Sequence, residues 1–309
     1  RAAMKILVLG GNGFIGSHVC EHLVSRGHHV RVFARQPARY DVVAEWFVGD
    51  LRESAKLAEA LTGVDVVVHC VSSTVPATSS ADPVADIETN LVGTVVLLDL
   101  MRETGVGRLV YLSSGGTVYG NPSVSPVPES HPLNPISTYG AVKVAIEKFI
   151  GVAQHSWGLR PIIFRPSNPY GERQGHGGVQ GLVTTVLHNA IRSVPTNIYG
   201  DGSSIRDYIY VRDLAALVTA GLESKVCGVF NAGSGRGHSI GQIIDIVESV
   251  TGLAVPIRRL ESRSFDVKEV VLDNRCACAT FDWAPVTPIE EGVRLYFDWM
   301  IDRTNSARE

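Results

Sequence analysis

Short apolar runs alternate with amphipathic stretches along the first half of the chain, and that alternation predicts the fold. Ile6-Leu7-Val8-Leu9 is continuously apolar, as a strand buried on both sheet faces requires. A glycine-rich turn and a helical pattern follow to about Gly27, and the next apolar piece is 30–33. Further strand-like runs fall at 46–48, 64–69, 109–113, 161–165 and 229–231, with helical patterns at 54–61, 87–104 and 138–154 between them. This β-α-β order predicts an α/β fold: a doubly wound parallel sheet of the Rossmann type, with helices on both faces. From Asn168 the texture changes to glycine- and proline-rich loops ("SNPYGERQGHGGVQG"), which suits a smaller C-terminal α/β substrate-binding domain. The expected division is 4–167 for a dinucleotide-binding domain and 168–309 mainly for the second, with segments near 208–231 returning to the first.

Composition narrows the function classes. Of 309 residues, 45% are hydrophobic and 19% charged, ordinary for a globular chain. A net charge of −3 offers no electrostatic footprint for nucleic acid. No apolar run reaches the roughly 18 residues of a membrane span, and no signal-peptide pattern is present. Arg1-Ala2-Ala3 ahead of Met4 reads as a remnant outside the fold. The 5 cysteines are scattered without a C-x-x-C pair, so reduced thiols in a cytoplasmic protein are expected. Cys276 and Cys278 lack a zinc spacing, and His18 and His22 lack the glutamate of a metalloprotease helix, so no metal is expected.

Gly10, Gly13 and Gly16 are spaced by three directly between the first strand and the first helix. The first glycine permits a tight turn, the second lets the backbone approach a pyrophosphate, and the third lets helix and strand pack closely. The helix start at Phe14 and Ile15 then turns free N–H groups and a positive dipole end toward the phosphates. At the end of the second strand an acidic residue would hold the ribose hydroxyls of NAD, but the chain reads Ala34-Arg35. A guanidinium suits a 2′-phosphate, which tilts the reading slightly toward NADP. Asp50 and Leu51, after the third strand, are placed beside the adenine.

Tyr139 and Lys143 lie four residues apart, hence on one helix face. A free phenol with a pKa near 10 is a poor base at neutral pH; a neighbouring ammonium and a nicotinamide cation favour its ionised form. The loop "SSGGTVYG" at 113–120 precedes this pair.

In this order, "GGNGFIG", "NLVGT", "SSGGTVYG", "STYGAVK", "RPSNPYG" and "RDYIYVRDL" resemble the extended short-chain dehydrogenase/reductases, in their nucleotide-sugar epimerase/dehydratase branch. The resemblance spans 4–302 and is nearest to the UDP-galactose 4-epimerases. It implies a Rossmann domain holding NAD, a small sugar-nucleotide domain, a homodimer, and Tyr139 and Lys143 as the catalytic pair. It also implies that Asn90 of "NLVGT" faces the cofactor. The family usually carries a serine or threonine three residues before the valine of "VYG"; here that residue is Gly115, leaving Thr117 or Ser114 to bridge sugar and tyrosine, with Thr117 preferred. Dehydratases of the branch carry an Asp-Glu pair where this chain has Gly116 and Thr117, which speaks against dehydration and decarboxylation.

For the substrate, the resemblance implies that Asn168 bonds the sugar or diphosphate and that Arg206 and Arg263 grip the diphosphate, with Tyr199 against the uracil. Counted from Arg263, the family's gate beside carbon 2 falls on Val270, where a small side chain leaves room for an N-acetyl group. The leading expectation is a 4-epimerase of UDP-glucose/galactose and their N-acetylamino forms, working through NAD(P). An NADPH-dependent 4-keto-sugar reductase and a non-catalytic nucleotide-sensing regulator are the alternatives.

Overall fold

A computed structural model describes residues 2–72, 76–175, 181–261 and 267–306. The element order opens β1 (Lys5–Leu9), α1 (Phe14–Ser25), β2 (His29–Ala34), β3 (Glu45–Val48), α2 (Ser54–Leu61), β4 (Val66–His69), α3 (Pro76–Ala81) and α4 (Pro83–Asp86). A π-helical turn (Ile87–Val92) then runs into α5 (Gly93–Thr104), β5 (Arg108–Leu112), α6 (Thr138–Trp157), β6 (Arg160–Pro166), β7 (Asn168–Tyr170), α7 (Leu182–Arg192) and β8 (Thr196–Tyr199). The remainder is β9 (Ile205–Tyr210), α8 (Val211–Glu223), β10 (Gly228–Ala232), β11 (Gly237–Ser239), α9 (Ile240–Thr251), β12 (Ile257–Leu260), β13 (Glu269–Val270), α10 (Arg275–Phe281) and α11 (Ile289–Ser306).

Seven parallel strands form the main sheet in the order β10-β6-β5-β4-β1-β2-β3. Strand residues alternate between faces, so each strand feeds two cores. Ile6, Val8, Val68, Val110 and Phe164 pack on one side; Leu7, Leu9, Val67, Leu109 and Ile163 pack on the other. This is the α/β doubly wound architecture that the alternating apolar runs encode. The stretch 208–231 divides. Tyr208–Tyr210 end β9 in a smaller sheet of order β11-β9-β13, with β7 also on β9, while α8 packs on α1 and β10 joins the main sheet beside β6. The helical pattern at 87–104 also departs from one regular helix: its first six residues form the π-turn. Asn90, Thr94 and His69 meet there, and Thr94 Oγ1 donates to the Asn90 carbonyl at 2.6 Å. Among the described residues, no helix is long and apolar enough to cross a membrane.

Candidate active site

The glycine loop lies at the C-terminal end of β1. Gly10 sits at φ +77°, a left-handed conformation that favours glycine, and its carbonyl accepts from Gly13 N–H at 2.9 Å. A Cβ on Gly16 would collide with the Gly10 carbonyl, so only glycine lets α1 start this close to the strand. Gly13 is the N-cap of α1 and brings no side chain to it. The first-turn N–H groups at Phe14, Ile15 and Gly16 therefore stay available to an anion. They open on a cleft of about 530 Å³ that Gly10, Gly13, Arg35, Asp50 and Leu51 help to line. Arg52 donates to Asp50 Oδ1 at 2.8 Å and holds that carboxyl below its usual range.

On the far side of β4 and β5, α6 begins at Ser137, whose hydroxyl accepts from Gly140 N–H at 3.1 Å and caps the helix. Tyr139, Lys143 and Glu147 then follow at steps of four on one face. Lys143 is buried, and its ammonium donates to the Leu112 carbonyl at 3.1 Å. It lies 5.1 Å from the ring centre of Tyr111 and 5.6 Å from that of Tyr139. Burial works against its charge, but the two phenols and the buried Asp86 carboxylate outweigh this and hold the pKa above the ordinary lysine value. An ammonium carries three N–H donors. One is given to Leu112, and the ammonium also lies against the phenols of Tyr111 and Tyr139. The uncapped helix start, the cleft and this ammonium together fit a dinucleotide cofactor.

His69 stays neutral in the same region. Burial, then the nearby Lys143, brings its pKa down to about 3. Its Nδ1 accepts from Val71 N–H at 3.3 Å, which leaves Nε2 to donate to Thr94 Oγ1 at 2.9 Å. Asn90 is buried and gives its amide to Asp86 at 2.6 Å, while its neighbour Thr89 lines the cleft.

The loop after β5 turns at Ser114, whose carbonyl accepts from Thr117 and Val118 N–H at 3.3 and 3.1 Å. A Cβ on Gly115 would lie 2.5 Å from Leu272 Cδ1 and 2.8 Å from the Arg165 carbonyl, so the position has no room for a hydroxylated side chain. Gly116 faces open space beside Asn168. The Thr117 carbonyl is against the start of α6, 2.8 Å from where a Gly140 Cβ would be, next in sequence to Tyr139. Thr117 Oγ1 and Ser167 Oγ are buried without a hydrogen-bond partner, a costly state in a closed protein and an ordinary one in a site that awaits a polar ligand.

Beneath the loop is a buried network that the sequence reading missed. Arg165 holds Glu147 with two bonds, 3.0 and 2.6 Å; Ser113 Oγ donates to Glu147 at 2.5 Å; and Arg165 also reaches the Tyr119 hydroxyl at 2.9 Å. Tyr119 in turn donates to Asn231 at 2.6 Å. One signal was available: Glu147 extends the Tyr139, Lys143 spacing by another four, which puts a carboxylate on the buried helix face.

On the substrate side, Asn168 donates to the Asp207 carbonyl at 2.8 Å. The Asp207 carboxylate is buried and accepts from Ser234 N–H and Oγ, Gly235 N–H and Leu272 N–H; burial pushes its pKa up against those four donors. Arg206 is half-buried, donates to the Ile205 carbonyl at 2.8 Å, and stands in register with Val270 across β9 and β13. Val270 is buried with Val118, Tyr119, Val127 and Leu272, directly behind the loop. Tyr199 is on β8, which pairs with β12 in a separate two-stranded sheet. Arg263 lies outside the described residues. No group of three or more His, Cys, Asp or Glu is placed to hold a metal among the described residues.

A glycine-loop cleft and a Tyr-Lys helix face on one doubly wound sheet define a dinucleotide-dependent enzyme class, and the comparisons specify it. The model of the NAD dependent epimerase/dehydratase family matches residues 6–233, and the chain belongs to that family. It is 32% identical to the UDP-glucose 4-epimerase of Halalkalibacterium halodurans, over 96% of this chain and 95% of the relative. Among solved structures, it resembles the UDP-glucose 4-epimerase of Thermus thermophilus in complex with NAD (34% identity, 96% and 99% coverage, TM-score 0.91). It also resembles the UDP-glucose 4-epimerase of Thermotoga maritima with UDP-glucose (30% identity, 97% and 100% coverage, TM-score 0.92).

Proposed function

We propose that the protein is a nucleotide-sugar 4-epimerase acting on UDP-glucose/galactose and on their N-acetylamino forms. The observation that carries this reading is the helix face of Tyr139 and Lys143, set against a loop that offers an unpartnered hydroxyl at Thr117 and no acid pair for dehydration. When bound, the dinucleotide supplies the hydride acceptor and donor at carbon 4. Tyr139 takes the proton of the 4-hydroxyl and returns it after the sugar has turned. Lys143 lies against the phenol and orients the ribose, and Thr117 bridges sugar and phenol in place of the side chain that Gly115 lacks. Arg206, with Arg263, anchors the diphosphate while the 4-keto sugar rotates. Asn168 steadies the diphosphate end. Val270 leaves space beside carbon 2 for the N-acetyl group. The protein works as a homodimer joined through α6, which presents Phe149 and Val152 to solvent.

The test is proton NMR of the purified protein with UDP-glucose and with UDP-N-acetylglucosamine, first without added dinucleotide and then with NAD or NADP. Both 4-epimers are expected, and Tyr139→Phe lowers turnover by about 10²–10⁴-fold. Absence of either 4-epimer under every condition sinks the reading. NADPH oxidation by a nucleotide 4-keto sugar, without epimerisation, replaces it with the reductase.

A further inference from the structure

We infer that the adenosine end of the cleft is built to receive a dinucleotide with a 2′-phosphate, gripped by Arg35 and Arg39. The inference rests on reading that cleft as a dinucleotide site and adds which dinucleotide it takes. The Phe33 carbonyl accepts from Gly10 N–H and the Ala34 carbonyl from Gly49 N–H, each at 2.9 Å, so the strand end is fixed between the glycine loop and the end of β3. The residue held there is alanine. A carboxylate at that point bonds the ribose hydroxyls and repels a phosphate; a methyl group does neither.

The chain then turns through 35–39, and Asn12 of the glycine loop clamps that turn with both ends of its amide. Its Nδ2 donates to the Pro37 carbonyl at 2.9 Å, and its Oδ1 accepts from Arg39 N–H at 2.8 Å. The clamp fixes the backbone of Arg39 at the rim of the same cleft that Arg35 lines. Both side chains are exposed and neither has a carboxylate within ion-pair distance among the described residues, although Arg39 Nη2 donates to Gln36 Oε1 at 3.4 Å and Arg35 is near enough to Asp50 to help hold its carboxyl below the usual range. Asp50 is the one carboxylate among the lining residues, and both its oxygens are engaged by Arg52, at 2.8 and 3.3 Å. Two guanidinium forks beside a ribose position that lacks an acid match a phosphate dianion.

Calorimetric titration of the nucleotide-stripped protein with NADP⁺ and with NAD⁺ tests this, alongside chromatographic identification of the nucleotide released on stripping. NADP⁺ is expected to bind about tenfold or more tightly than NAD⁺, and Arg35→Ala and Arg39→Ala each to weaken NADP⁺ about tenfold while leaving NAD⁺ within about twofold. Ala34→Asp is expected to reverse the preference. NAD⁺ binding as tightly as NADP⁺ overturns the inference and leaves the dinucleotide site standing. Equal losses for both dinucleotides in the arginine variants also overturn it, since stacking on adenine would do that. Binding of neither dinucleotide overturns the inference together with the reading beneath it.

Discussion

Gly115 shows how much a single position settles. Relatives implied by the sequence pattern place a hydroxylated side chain there, yet Leu272 and the backbone of Arg165 close the space against even a Cβ. Gly115→Ser is therefore expected to destabilise the fold by about 1–3 kcal/mol, seen as a lower melting temperature, without raising epimerisation. A stable, faster Gly115→Ser variant would show that the loop yields and that the missing hydroxyl had been limiting. The role proposed for Tyr139 and Lys143 came from the order of the surrounding motifs; that they share one face of α6 was legible from a spacing of four on a helix. The crowding at Gly115 was not, since Leu272 comes from the far end of the chain. Nor was the neutrality of His69, which depends on complete burial and not on its neighbours in sequence.

At the scale of elements, α6 is both the proposed catalytic surface and a structural tie. Its Glu147 meets Arg165 of β6 in a buried bidentate pair, and Ser113 at the base of the catalytic loop leans on the same carboxylate. Removing one partner of a buried pair strands the other charge, so Glu147→Gln is expected to cost about 3–5 kcal/mol in urea unfolding. A paired apolar replacement, Glu147→Leu with Arg165→Met, is expected to recover most of that loss. If the double variant is as unstable as the single one, the network matters through Ser113 and Tyr119 and not through the ion pair. The strands of the main sheet were readable as continuous apolar runs. The π-turn before α5 was not, because the side-chain and backbone contacts at Asn90 and Thr94 that accompany it cost the sequence none of its helical periodicity.

For the whole molecule, α6 also carries the proposed subunit contact. Phe149 and Val152 are three apart and 44% and 60% exposed, on the helix whose opposite side holds the catalytic pair. Phe149→Glu with Val152→Glu is expected to shift the protein from dimer to monomer in light scattering coupled to size exclusion; an unchanged mass in either direction would place the contact elsewhere. The broad α/β architecture was legible end to end, and so was the expectation that segments near 208–231 rejoin the first half; what apolar runs did not show is that 208–210 stay behind in the smaller sheet as the end of β9 while α8 and β10 return. That allocation has a consequence for ancestry. The chain leaves the main sheet after β6 and comes back only to lay down β10 beside it, so the sheet's outer strand is encoded downstream of β7, α7, β8 and β9. A cut after β6 would strip the sheet of that strand and expose a bare edge open to aggregation. The substrate half is therefore no detachable cassette. Whatever replaces it must also bring the outer strand of the cofactor half's sheet, fitted to β6.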